Sequence, residues 1–214
     1  LAGHQGITRM RAFNAELNLG HAMGGADAAE PSYADTPLGG SGPGPAVPGG
    51  AGAHAIAPGE PVILDVAPGV DGYLVDQTRT LCIGGLPASL AQAYADMVAV
   101  QERMVELARP GASCGRIYED CRALAERLGH TADFMGAAGS QVPFIGHGVG
   151  IELDELPLLA RGFDASLLEE GMVFAFEPKA VYPGVGAVGV ENTWVVVADG
   201  VRRLTLPSDE LFVV

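Results

Sequence analysis

Residues 62–80 read VILDVAPGVDGYLVDQTRT, and residues 173–194 read VFAFEPKAVYPGVGAVGVENTW. The two stretches share one plan. An apolar run ends in an acid, a Pro/Gly loop follows, and a second run carries Val, an acid, an amide and Thr, as VDQT at 75–78 and VENT at 190–193. Runs rich in Val, Ile, Thr and aromatics, bounded by Pro and Gly, are the pattern of strands joined by turns. Strands are therefore expected at Val62–Val66, Gly72–Cys82, Val173–Pro178 and Ala187–Val197, as an internally duplicated hairpin. In each hairpin two acids can face one spot from adjacent strands, Asp65 with Asp76 and Glu177 with Glu191.

The surroundings of these acids point to their chemistry. Asp65 follows Val-Ile-Leu and Glu177 follows Val-Phe-Ala-Phe, so both close runs that should be buried. An unpaired carboxylate there costs on the order of several kcal/mol. Arg79 and Lys179 are the only basic residues close by in sequence, and two positive charges do not balance four negative ones. Two divalent cations would, and a neutral imidazole can complete the shell without changing the sum. His147, in GHGVGIELDELP at 146–157, is the available imidazole, although a histidine among Gly146, Gly148 and Gly150 also reads as a tight turn. Carboxylate oxygens with one nitrogen suit Mn²⁺, Co²⁺ or Fe²⁺, whereas Zn²⁺ more often brings extra His or Cys.

Composition bounds the rest. With 214 residues, 48% apolar and 18% charged, the chain can build a sizeable core, and it is read as one domain over 1–214. A net charge of −14 with scattered Lys and Arg argues against nucleic acid or an anionic membrane surface as partner. Cys82, Cys114 and Cys121 form neither a zinc spacing nor an even disulfide set, which suits a reducing compartment, and with no membrane span or signal segment the expected location is cytoplasmic. Leu1 in place of Met suggests that an upstream part exists.

Residues 31–61, rich in Pro, Gly, Ser and Ala, read as a long loop with little core, and a lid is one use for it. Helical spacing from Pro87 to Ala108 runs through Leu90, Tyr94, Met97, Val98, Met104 and Val105, with Gln101 the polar exception. A second helix is expected after an N-cap at Ser113, with Ile117, Cys121, Leu124 and Leu128 on one face and Gly129 just past its end. GGSGPG at 39–44 lacks the Lys-Ser/Thr of a phosphate loop, and no Ser or Cys is placed like a covalent nucleophile.

The set Asp65, Asp76, His147, Glu177 and Glu191, in the contexts LDVAPGVDGYLVDQTRT, GHGVG, MVFAFEPK and GVENT, resembles the catalytic domain of the pita-bread metallopeptidases. That family includes methionine aminopeptidase, prolidase, aminopeptidase P and creatinase, and the resemblance covers about residues 60–206. It implies an α+β fold, with a curved antiparallel sheet and flanking helices in two pseudo-symmetric halves. It also implies two divalent ions per chain: Asp65 on one, Asp76 and Glu191 bridging, His147 and Glu177 on the other. The Xaa-Pro branch is nearest, which implies a small peptide substrate, a homodimer and a separate N-terminal domain upstream. The implied reaction is hydrolysis by metal-activated water, with Glu177 as proton shuttle or as ligand alone.

Three departures keep a second reading open. Seven residues after His147 the family places another histidine, where this chain has Asp154; a carboxylate can accept a cationic group or cap a turn, but when ionised it cannot donate to an oxyanion. The Pro-His neighbourhood is matched only by GGADAAEPS, ending in Ser32, or by VPGG, with Gly49, and the arginine two before the last glutamate is Gly189. His21, in ELNLGHAM, is the candidate to supply a missing donor from a neighbouring strand, whereas His4, His54 and His130 look unremarkable. The alternative to a peptidase is a metal-dependent hydrolase or lyase of a small charged amide or metabolite, as the creatinase-like relatives imply.

Overall fold

The computed structural model describes residues 7–9, 16–18, 20–32, 34–47 and 49–214. His4 and Leu19 lie outside them. The described chain starts with a paired β1 (Ile7–Arg9) and β2 (Glu16–Asn18), then β3 (Gly20–Gly24) and a 3₁₀ turn at Gly25–Ala29. The first predicted hairpin follows as β4 (Pro61–Val66), β5 (Gly69–Val70), β6 (Tyr73–Leu74) and β7 (Gln77–Cys82), with β4 against β7 and the short β5–β6 ribbon at its tip. After α1 (Ala88–Leu107) and α2 (Cys114–Arg127) come β8 (Phe144–Gly148) and β9 (Glu155–Ala160). The second hairpin repeats the first: β10 (Val173–Phe176), β11 (Lys179–Tyr182), β12 (Gly186–Gly189) and β13 (Asn192–Val197), with β10 on β13 and β11 on β12. β14 (Gly200–Arg203) and β15 (Phe212–Val213) end the chain.

Two sheets carry the molecule, ordered β15-β7-β4-β3 and β14-β13-β10-β8-β9. Every pairing of named strands is antiparallel, as expected, except that of the two-residue β15 with β7, which is parallel. Among the described residues the duplication extends to a third strand in each sheet, β3 antiparallel to β4 as β8 is to β10, while both α-helices lie between the two hairpins.

The predicted strands Gly72–Cys82 and Ala187–Val197 are each interrupted at the first two residues of the repeated Val-acid-amide-Thr motif, Val75–Asp76 and Val190–Glu191. The backbone of each acid has left its own hairpin to bond across to the other. The Asp76 amide donates to Thr193 Oγ1 at 2.9 Å, and the Glu191 amide donates to the Thr78 carbonyl at 3.1 Å. Val173–Pro178 is likewise shorter than expected. It ends at Phe176 because the Glu177 amide turns to the Ile145 carbonyl (2.9 Å) and Pro178 has no amide to offer.

The helices pack one apolar side each onto these strands. In α1, Leu90, Tyr94, Met97, Val100 and Met104 are buried with Phe174, Phe176, Ile145 and Trp194, while Val105, expected on that face, is exposed. Gln101 is buried as the polar exception and stays paired, donating to Asp209 at 3.0 Å and accepting from Asn192 at 2.7 Å. In α2, Ile117 and Cys121 are buried, Leu124 is partly so, and Leu128 is exposed. Gly129 follows at φ +102°, the left-handed conformation that ends helices. Ser113 caps α2, its Oγ accepting from the Arg116 amide at 3.3 Å and donating to the Asp164 carbonyl at 2.9 Å. Ser113→Ala is expected to cost about 1 kcal/mol. A urea midpoint lowered at constant slope would show it.

Two expectations are corrected here. The 31–61 loop does feed a core: Leu38 is buried beside Met23, Ile63 and Val181, held by Gly39 and Gly50 amides bonding back to Glu30 and Gly39. His130 is not unremarkable either. It is buried, with Nε2 2.9 Å from Asp96 of α1 and Nδ1 3.0 Å from Asp133, and the Tyr182 hydroxyl lies 3.2 Å from Nδ1. Burial disfavours the imidazolium, but bonds to Asp133 and Asp96 outweigh it and hold the pKa above the ordinary histidine value. A raised pKa gives stability that is full below the unfolded value and fades as pH climbs through the folded one. The urea midpoint of His130→Ala should thus trail wild type by more at pH 6 than at pH 9, and an equal gap would contradict the assignment.

Candidate metal centre

Four acids and one histidine converge where the two hairpins meet. Asp65 stands in β4 opposite Thr78, Asp76 just before β7, Glu177 just after β10 and Glu191 just before β13, so each hairpin delivers one acid from each strand. His147 sits in β8 opposite Ala175, one strand over from the second hairpin. The two glycines around it are dictated by packing: a Cβ at Gly146 would lie 2.5 Å from the Ala175 carbonyl oxygen, and one at Gly148 2.3 Å from that of Leu156. The opening alternatives thus converge, since the glycines serve the strand while the histidine faces the acids.

His147 Nδ1 lies 3.1 Å from the Gly148 carbonyl, an acceptor only, so Nδ1 carries the proton and the Nε2 lone pair is left for a ligand. Nε2 is 3.8 Å from Asp76 Oδ2, 3.6 Å from Glu177 Oε1 and 4.0 Å from Glu191 Oε1. Donor atoms of Asp76, His147 and Glu191 all lie within 4.8 Å of one another, and all three residues are buried. Asp76 Oδ1 is buried with no hydrogen-bond partner, an orphan that a cation would satisfy. This side of the cluster fits a divalent ion.

The opposite side is different. Lys179, 1% exposed, puts Nζ 2.5 Å from Glu177 Oε2, 3.1 Å from Glu191 Oε2 and 3.6 Å from Asp65 Oδ2. Arg79, the other base near in sequence, does not reach the acid side chains. Its guanidinium donates to the carbonyls of Thr78, Glu191, Pro207 and Ser208 and to Asn192 Oδ1, and pairs with Asp209.

With one ammonium among four carboxylates, burial dominates the titration. Burial and the charges of Glu191, Asp65 and Glu177 hold the Asp76 carboxyl well above its usual range. Burial and Glu191 likewise push Glu177 up to about 7 against Lys179 and His147. Burial opposes the charge of Lys179, yet Glu177, Glu191 and Asp65 raise its pKa well above the usual lysine value.

A cavity opens onto the centre, lined by all five predicted ligands and by both further candidates, Asp154 and His21. His21 in β3 is the cross-strand neighbour of Asp65, so the strand register delivers it to the site. Asp154 is half-buried, with Oδ1 unpartnered, and its charge is felt by His147. Asp35 and Thr36 of the 31–61 loop also line the cavity, which sequence reasoning missed. It missed the two threonines as well, although VDQT and VENT placed them identically: Thr78 Oγ1 donates to Glu191 Oε2 at 2.7 Å, and Thr193 Oγ1 donates to the Asp76 carbonyl at 2.8 Å.

Residues 4–198 match metallopeptidase family M24. The chain belongs to this family. Over 156 residues it is 31% identical to an Xaa-Pro dipeptidase of Pyrococcus furiosus, covering 73% of this chain and 42% of that protein. A solved dipeptidase from Pyrococcus horikoshii superposes with a TM-score of 0.75 at 27% identity, over 98% of this chain and 49% of that one. An X-Pro aminopeptidase from Thermotoga maritima shares the fold with a TM-score of 0.78 at 23% identity, over 99% of this chain and 51% of that one. This M24 chain thus spans about two-fifths of the length of the curated relatives it matches. Its architecture is the pita-bread α+β fold, and the Xaa-Pro branch is the one it resembles.

Proposed function

We propose that this chain cleaves short peptides at an Xaa-Pro bond by metal-activated water, with Glu177 moving the proton. The observation that carries the reading is the convergence of Asp76, His147, Glu177 and Glu191 on one buried point at the floor of an open cavity. The names of the relatives, Xaa-Pro dipeptidases among them, supply the substrate class. A divalent ion held by these donors lowers the pKa of a water and polarises a peptide carbonyl. Carboxylates and one imidazole favour Mn²⁺ or Co²⁺ over Zn²⁺.

The protein's own groups do the rest. His147 keeps its lone pair aimed at the centre through its bond to Gly148. Glu177, buried beside His147, takes the proton from water and returns it to the leaving amine. His21, which lines the cavity opposite Asp65, serves in this reading as the donor to the substrate. The three cysteines are free and buried, which supports a reducing, cytoplasmic setting.

One observation favours a second substrate class. Among the described residues that line the cavity are six acids, including Asp35 and Asp154, and no Lys or Arg. Such a lining suits a substrate with a cationic group better than one with a free carboxylate. The deciding assay offers the full-length protein, loaded with Mn²⁺ or Co²⁺, a panel of Xaa-Pro dipeptides, Xaa-Pro tripeptides and small cationic amides. Peptide cleavage upholds the proposal, and turnover of the amides alone replaces it with the second reading.

A further inference from the structure

The two glutamates of the centre divide their oxygens. Glu177 Oε1 and Glu191 Oε1 face His147 at 3.6 and 4.0 Å, while Oε2 of each faces Lys179 at 2.5 and 3.1 Å. The cluster therefore has two poles, an imidazole pole completed by Asp76 and an ammonium pole completed by Asp65. Lys179 is built into place. It stands in β11 opposite Gly189 of β12, its carbonyl accepts from the Met135 amide at 2.9 Å, and its stem runs where a side chain at 189 would be, since a Cβ there would lie 2.7 Å from Lys179 Cγ.

We propose that Lys179 takes the place of one of two cations, so that the centre holds a single divalent ion at the His147 pole. This rests on the metal-dependent reading above. Four carboxylates carry −4, and Lys179 with one divalent ion supplies +3, leaving −1 in the buried cluster. A second divalent ion would turn that into +1 and would stand beside a fixed ammonium that already occupies an oxygen of Asp65 and of Glu191. The metal that remains is held by Asp76, His147, Glu177 and Glu191, and Asp65 serves to anchor the lysine.

Metal content decides this without reference to activity. The full-length protein and Lys179→Ala are dialysed to equilibrium against Mn²⁺, the bound ion is counted per chain, and its electron paramagnetic resonance spectrum is recorded. One ion per wild-type chain with an isolated six-line signal, rising to two per chain with a spin-coupled signal in Lys179→Ala, supports the proposal. Two ions in wild type, or one in both proteins, overturns it and leaves the metal-dependent reading intact. No ion in either protein removes both. Anomalous diffraction from wild-type crystals grown with Mn²⁺ decides the matter with no substitution at all: one peak beside His147 supports the proposal, and a second between Asp65 and Asp76 overturns it.

Discussion

Replacing Glu177 by alanine should lower kcat for an Xaa-Pro peptide by about three orders of magnitude, in the middle of the range for loss of a positioned general acid–base. That corresponds to about 4 kcal/mol of transition-state stabilisation. The size follows from placement. Glu177 is the first residue after β10, its amide is tied to Ile145, and Pro178 behind it fixes the turn, so the carboxylate has little freedom to be replaced by a neighbour. Removing it also frees Lys179 from its shortest contact. Glu177→Gln separates the two duties, because an amide keeps an oxygen donor but cannot shuttle a proton. Measured at matched metal content, Gln should fall nearly as far as Ala. A Gln variant with more than about a tenth of wild-type turnover would assign Glu177 to ligation alone.

Arg79→Met should cost about 3–5 kcal/mol of folding stability, the range for breaking a buried charged network on one side. Arg79 is 5% exposed, and its guanidinium satisfies four backbone carbonyls and Asn192, gathering β7, β13 and the 207–209 segment around one planar group. Methionine fills much of the volume and offers no donors, so the buried Glu191 carbonyl and Asn192 Oδ1 lose their Arg79 donor, while the Thr78 carbonyl keeps the Glu191 amide and Pro207 and Ser208 lie at the exposed edge. Arg203 still reaches Asp209, which limits the loss on that side. Because the orphaned carbonyl belongs to Glu191, metal affinity should fall as well, by about 10–100-fold, as for other residues that orient ligands. Urea unfolding and calorimetric titration with Mn²⁺ check the two parts, and unchanged metal affinity in a folded variant would confine Arg79 to a structural role.

The hairpins and the convergence of four acids with His147 were legible because burial and charge conflict there. A sequence that ends two apolar runs in acids and repeats the pattern must neutralise them, and only residue types and order are needed to see it. What stayed hidden depended on direction. Arg79 and Lys179 are equally close to the acids in sequence, yet one strand face sends Lys179 into the cluster and the other sends Arg79 toward Asp209. His130 looked like a helix end because its partners, Asp96 and Tyr182, are 34 and 52 residues away. Asp35 and Thr36 were hidden in a segment whose composition marks a loop and says nothing of where that loop folds back. The breaks before Asp76 and Glu191 were invisible to strand propensity, which favours continuing a Val-rich run, because the competing bonds come from the other half of the molecule.

Those crossed bonds carry a consequence for how the protein loosens. Thr193 grips the Asp76 backbone, the Thr78 carbonyl receives the Glu191 amide, and the Thr80 hydroxyl exchanges bonds with Gly189. Neither hairpin can swing away without dismantling the donor set of the other. An ion bound at this centre would act as a rivet through two plates: it could not fall out by fraying of one edge, and its departure and the parting of the plates would be one event. Amides along this seam should be among the last to exchange with deuterated water, and the rate at which a chelator strips the ion should follow theirs.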